Sequence, residues 1–230
     1  MSIILEAKDL KIIKPTGNCN DILLKNVNLT LKPGDAISIS GNIGLGKTSL
    51  IRILGLLAKP QDGNLYIKSP KNIIDTTLLP RGELDEFIKY YFAYIFQSPE
   101  LMMKWTVTEN ISLPLMARGN SKKESKEIAE EFCYILGILK YANVPISTLS
   151  TGCRKLVDIA KAMAKEPAIL IADEPTENLD PKTRDKVIKY LIEQQSDGIL
   201  IIATHLKTTE SMFKKRYVIE EKRLIRKKAD

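Results

Sequence analysis

Apolar and polar residues alternate at the start of the chain, and the alternation predicts strands. "IILEAKDLKII" (3–13) and "ILLKNVNLTL" (22–31) space their aliphatic positions with polar ones, and "KPGD" (32–35) reads as a turn. "AISIS" (36–40) is a compact apolar strand that runs directly into Gly41. Beyond the glycines, "KTSLIRILGLL" puts Leu50, Ile53, Leu54 and Leu57 at helical spacing. A glycine-rich stretch therefore lies between a buried strand and a helix. Further on, "SKKESKEIAEEFCYILGILKYA" (121–142) predicts an amphipathic helix. Ser121 and Glu124 form a capping-box pattern at its start, and Ile128, Phe132, Ile135, Leu136 and Leu139 make one apolar face. "RKLVDIAKAMAKE" (154–166) predicts a second helix, stopped near Pro167. "AILIADEP" and "GILIIATH" are wholly apolar strands with polar ends, the mark of a parallel sheet covered on both faces. The pattern is an α/β core with a helical insertion over roughly 98–165.

The length of 230 residues suits one large domain or two small ones. Hydrophobic residues at 44% and charged residues at 27% give an ordinary globular mix. Runs such as "ILIIA" are too short to span a bilayer, and Met1 to Leu10 lacks the basic start and apolar stretch of a signal peptide. A cytoplasmic location is expected. Cys19, Cys133 and Cys153 are widely spaced and odd in number, which predicts neither a disulfide framework nor a metal site. The net charge of +7 admits nucleic acid, anionic lipid or plain solubility as explanations. Its one concentration, the tail "KRLIRKKAD", reads as a solvated terminus, with a weak bias to lipid headgroups as the alternative.

The glycine-rich stretch "GNIGLGKTSL" carries the first chemistry. Gly41, Gly46, Lys47 and Thr48 fit G-x-x-x-x-G-K-[ST] without a gap. A triphosphate is densely negative, and side chains would hold it away from the backbone. Glycines let main-chain N–H groups close around it, and the following helix adds its positive end. Asn42, Ile43, Gly44, Leu45 and Ser49 complete the expected nucleotide-binding loop. Lys47 is expected on the β- and γ-phosphates, and the Thr48 hydroxyl on Mg²⁺. "ILIADEP" then puts Asp173 and Glu174 at the end of a buried strand. Asp173 suits the metal, while Glu174 suits a general base on the attacking water.

With these residues in place, the chain resembles the nucleotide-binding subunits of ATP-binding cassette (ABC) transporters along nearly its whole length. "LSTGC" (149–153) stands where that family has its Leu-Ser-Gly-Gly-Gln signature, and "ENLD" places Asp180 in the D-loop. "ATHL" holds His205, the sole histidine, at the switch position, and "YIFQSPELM" holds Gln97 at the Q-loop. "TVTENISLPL" and "ADEPTENLD" are similar to segments of the lipoprotein-release and macrolide-efflux branch. The resemblance implies a P-loop NTPase (RecA-like) core with an N-terminal antiparallel β subdomain and an inserted α-helical subdomain. It divides one ABC ATPase domain, 1–230, into a catalytic core (1–97 and 166–230) and a helical subdomain (98–165). It implies that His205 contacts the γ-phosphate and steadies Glu174, and that Gln97 touches Mg²⁺ or the water. Ser150 and Gly152 would complete the ATP site of a second subunit. A homodimer, a separate integral membrane permease and a place on the cytoplasmic face of the membrane follow from the same likeness. Nucleic acid is not an expected partner, since the chain shows neither two cassettes nor a long coiled-coil insertion.

Several positions depart from the family. Thr151 replaces the first signature glycine, where a β-branched residue disfavours positive φ and crowds the phosphate. Cys153 and Leu156 stand where glutamine and arginine are common, and Ile43 replaces a serine. "KIIKPTG" has no ring to stack on adenine, so Ile13 or Lys14 is expected to pack on the base. The expected activity is transport-coupled ATP hydrolysis. The alternatives are an ABC ATPase regulating a membrane partner without transport, and a weakly active degenerate subunit.

Overall fold

The N-terminal alternation does build strands. In the computed structural model, which describes residues 3–16, 19–70 and 72–227, β1 (Ile4–Thr16) pairs antiparallel with β2 (Cys19–Leu31). With β4 (Asp62–Ser69) and β5 (Asn72–Asp75) they form an antiparallel sheet in the order β2-β1-β4-β5. Expectations attached to Met1, Ser2, the Cys19 side chain and Lys228 to Asp230 lie outside the described residues. Cys133 and Cys153 are free thiols, and burial pushes that of Cys133 up to about 11, which makes it an inert packing group.

The second sheet has the order β10-β9-β3-β8-β7-β6. Its strands are β3 (Asp35–Ser40), β6 (Phe92–Ile95), β7 (Ile169–Asp173), β8 (Ile199–Ala203), β9 (Lys215–Glu220) and the antiparallel edge strand β10 (Arg223–Arg226). Every residue of β7 and β8 is buried, as their unbroken apolar runs predict. One face packs with α1 (Lys47–Leu54) and the antiparallel sheet through Leu5, Leu31, Ile39 and Leu50. The other face packs on α5 (Thr151–Met163) and α6 (Pro181–Gln194) through Leu170, Leu200, Ile159 and Ile188. The remaining helices are α2 (Arg81–Tyr91), α3 (Val107–Ala117), α4 (Lys122–Ile135) and the single turn α7 (Lys207–Glu210). A third apolar cluster, with Val107, Ile111, Ala129, Ile146 and Val157 among its members, joins α3 and α4 to α5.

Parallel register sets the geometry that matters for function. Ile39 of β3 is level with Ala203 of β8, and Ala203 is level with Asp173 of β7. Ile95 of β6 is level with Ala172. The chain leaves these four strands at one edge, so the glycine loop, "DEP", "THL" and Gln97 emerge side by side. Ligands of open α/β sheets bind at such carboxyl ends.

Helix α4 keeps only part of its expected face: Ile128, Phe132 and Leu136 pack against the third cluster. Its buried residues are Ser125, Ala129 and Cys133, whereas Ile135 and Leu139 are 45% and 44% exposed. Gly137, at φ +71°, follows the cap of the helix and separates it from a 3₁₀ turn at Leu139–Tyr141, so helical periodicity does not carry through to Leu139. The Ser121 cap forms as expected. Its Oγ accepts from the Glu124 N–H, and the Glu124 carboxylate accepts from the Ser121 N–H at 2.9 Å. Ser121→Ala should destabilise the protein by about 1 kcal/mol, read as a lower midpoint in urea with an unchanged slope.

Candidate nucleotide site

Between β3 and α1 the chain turns through Gly46, whose φ of +96° suits glycine. A Cβ there would also lie 3.1 Å from the Leu23 Cβ. The loop and α1 form one wall of a cavity of about 540 Å³. Gly44, Gly46, Lys47, Thr48 and Ser49 line it, together with Gln97, Asp173, Glu174 and His205. Four separate strand ends thus supply one concave site.

Lys47 is buried, and its Nζ donates to the carbonyls of Gly41 at 2.7 Å and Asn42 at 3.0 Å. Leu45 packs inward against the core, and Ile43 stands 93% exposed at the cavity mouth. Thr48 Oγ1 donates to Asp173 Oδ2 at 2.7 Å. Burial raises the Asp173 pKa, opposed by that hydrogen bond and by the Lys47 charge. Glu174 is buried at a left-handed φ of +44°, with its N–H bonded to the Ala203 carbonyl at 2.9 Å. Its Oε1 lies 2.7 Å from His205 Nδ1, and its Oε2 accepts from Thr204 Oγ1 at 3.2 Å. One carboxylate is thereby held at both oxygens, on a strained backbone, facing the cavity.

A hydroxyl and a carboxylate in contact are hard oxygen donors of the kind magnesium takes. The described residues show no cluster of three or more His, Cys, Asp or Glu side chains for a metal. Thr48 and Asp173 therefore fit an ion that keeps most of its shell in water and phosphate oxygens, as magnesium does.

Other expected site residues lie elsewhere. Ser150 caps α5, its Oγ accepting from the Cys153 N–H at 3.3 Å, and does not line the cavity. Gly152 sits against the loop after β7, where a Cβ would be 3.1 Å from the Asn178 carbonyl. Asp180 caps α6, and hydrogen bonding from Thr183 lowers its pKa. Thr151 is the first residue of α5 and is exposed, with no positive φ, so the expected backbone strain is absent. Ile13 does not line the cavity, whereas Lys14 and Leu23 do. Register shifts on either side of Ile12 in β1 break the alternation that would have told the faces apart. Thr204, Leu23 and Glu177 are site residues that the sequence reading missed. Thr204 lies within "ATHL" and Glu177 within "ENLD", and Leu23 carried no signal of its own.

This fold and this cavity define a P-loop nucleotide-binding protein. Comparison with known proteins takes the assignment further. The family model described as ABC transporter matches residues 24–177. The lipoprotein-releasing system ATP-binding protein LolD of Rhodopseudomonas palustris (strain BisB5) is 32% identical over 215 residues, covering 93% of this chain and 91% of that protein. The methionine import ATP-binding protein MetN 2 of Enterococcus faecalis (strain ATCC 700802 / V583) is 39% identical over 184 residues, covering 79% of this chain but 52% of its own length. Among solved structures, the dimeric post-hydrolysis state of the ATP-binding cassette MJ0796 bound to ADP and Pi superposes with a TM-score of 0.89. It is 28% identical, with 98% of this chain and all of that chain covered (100%). The chain belongs to the ABC transporter family, as an ATP-hydrolysing subunit that powers transport.

Gly46→Ala should weaken nucleotide binding on the order of tenfold or more, because the left-handed backbone costs an alanine about 1–2 kcal/mol and its Cβ would press on Leu23. Titration with a fluorescent ATP analogue checks this, with circular dichroism confirming that the variant is folded.

Proposed function

We propose that two copies of this chain close around ATP and drive a release or export permease from the cytoplasmic face of a membrane. The observation that carries this reading is the split of the motifs. Lys47, Thr48, Asp173, Glu174 and His205 share one cavity, while Ser150 and Gly152 lie outside it. A second copy, arranged head to tail, would bring its Ser150 hydroxyl and the N–H groups at the start of α5 to the phosphates. The dimeric state of MJ0796 supports this arrangement.

In this reading Lys47 leaves its two loop carbonyls for the β- and γ-phosphate oxygens. Thr48 and Asp173 hold magnesium, which when bound neutralises phosphate charge and aligns the terminal phosphoryl group. Glu174 takes a proton from water, the water oxygen bonds to the γ-phosphorus, and the bond to the ADP oxygen breaks. His205 and Thr204 keep the carboxylate aimed, and Gln97 contributes its carboxamide to the water or the metal. Loss of the γ-phosphate removes the contacts shared by the two copies, so binding energy becomes motion.

Residues 98–165 serve as the helical unit that carries this motion to the permease. Next to Gln97, Met102, Met103 and Trp105 are 52%, 42% and 41% exposed, an apolar surface suited to a partner helix. No helix among the described residues is long and apolar enough to cross a membrane, so the partner supplies the spans. Release or export is favoured because LolD matches over 91% of its length, whereas the chain spans about half of the import protein MetN 2 (52%).

Glu174→Gln should slow phosphate release on the order of 10²-fold or more and accumulate an ATP-bound dimer on size exclusion. Hydrolysis at the native rate would overturn the role of Glu174. At the mouth of the site, Lys14, Leu23 and Ile43 offer aliphatic surface and no ring. Stacking is worth about 1–3 kcal/mol per base where a ring exists, so GTP should compete with ATP to within about tenfold. Competition against labelled ATP measures this.

A further inference from the structure

Helix α5 carries one lysine that is not solvated. Lys155 is 1% exposed, five residues after Ser150 on the helix that Ser150 caps. Its Nζ donates to two successive carbonyls, Phe96 and Gln97, each at 2.7 Å. Lys161 donates to the Glu100 carbonyl at 2.7 Å, and Lys165 to that of Phe92. Lys155 and Lys161 of α5, and Lys165 two residues past its end, therefore fasten the segment 92–100, which contains β6 and the Gln97 loop. Asp158, one turn beyond Lys155, is 2% exposed with Oδ2 unpartnered. Burial pushes its carboxyl up to about 6, against the pull of Lys161, Lys155 and the Phe96 main chain.

A buried ammonium is tolerable only while its hydrogen bonds are made. Charge-assisted bonds of this kind are roughly twice as strong as neutral ones. Losing the Phe96 and Gln97 carbonyls would strand the Lys155 charge beside a half-satisfied Asp158. The cheapest way for α5 to move is to take the Gln97 backbone with it. Gln97 lines the nucleotide cavity, while Ser150 at the start of α5 does not. The two ends of this linkage thus belong to different nucleotides in the closed dimer.

From this geometry we infer that Lys155, braced by Asp158, is a positioning residue that locks the Gln97 loop to α5, so that capture of the partner's ATP at Ser150 sets Gln97 in this copy's own site. The inference rests on the dimeric reading above. It assigns Lys155 no contact with nucleotide. Its work is to make two events at two sites one cooperative step.

The test compares the full-length chain with Lys155→Gln, which keeps a shorter neutral donor, and with Lys155→Met/Asp158→Leu, which removes the buried charges together and guards against misfolding of the single variant. Steady-state ATPase is measured against ATP concentration, alone and combined with Gln97→Ala. With the linkage cut, kcat should fall on the order of tenfold or more, as for a misplaced reacting group. Affinity for a fluorescent ATP analogue should stay within about twofold, because no phosphate contact is lost. Gln97→Ala should cost much less in the altered background than in the native one, since both changes disable the same element. Lys155→Arg, which can still donate to both carbonyls, should recover most of the rate. Native kcat in the folded double variant, or an undiminished cost of Gln97→Ala, would overturn the inference. Failure of Glu174→Gln to trap a dimer would instead strike the underlying reading, so the two failures are distinguishable.

Discussion

The site depends on strand register. A five-residue strand, β7, and its neighbour β8 hold Asp173 level with Ala203, and β3 holds Ile39 level with the same residue. Slippage by one residue in any of these pairings would move a carboxylate by a residue's rise, about 3.3 Å, and turn it to the other face. Contacts such as that between Thr48 and Asp173 survive because β7 and β8 are buried along their full length. Apolar packing on both faces makes every alternative register expensive. The chemistry of the cleft is in this sense an outcome of the core.

Charge is handled differently on the two sides of the sheet edge. In the cleft, Lys47 is held by main-chain carbonyls that, in the proposed reading, it exchanges for phosphate oxygens. Behind the cleft, Lys155 is held by main-chain carbonyls of the Gln97 loop in a place that phosphate does not reach. In the proposed reading the same donor and acceptor types thus serve as a replaceable latch in one place and a permanent tie in the other, and the difference is that Lys47 lines the nucleotide cavity while Lys155 does not. Lys155 is 1% exposed.

What could be read directly from the residues was local or periodic. The glycine loop is contiguous, so its identity and its strand–loop–helix setting were legible together. The Ser121 cap was legible for the same reason. The Thr106 and Glu109 capping box that opens α3 has the same signature in "TVTE", and the helix forms with Pro114 inside it. Contacts between strand ends are not local. The pairing of Glu174 with His205, whose sequence separation is 31, came into view through family likeness, and Thr204 as the second brace came only from the coordinates. Lys155 could have been suspected. It falls on the helical stripe of Ile159 and Ala162, which are buried, but a lysine in a basic helix reads first as solvated. Ile13 misled because a bulged strand does not keep parity.

Glu174 also shows how tightly activity and durability are opposed here. Its left-handed backbone and buried carboxylate are both costs that the rest of the fold carries. A glycine at that position would shed the first and remove the second. Selection for heat tolerance alone would be drawn to a residue proposed as the general base, and in that reading the hardiest descendant of this chain would be an idle one.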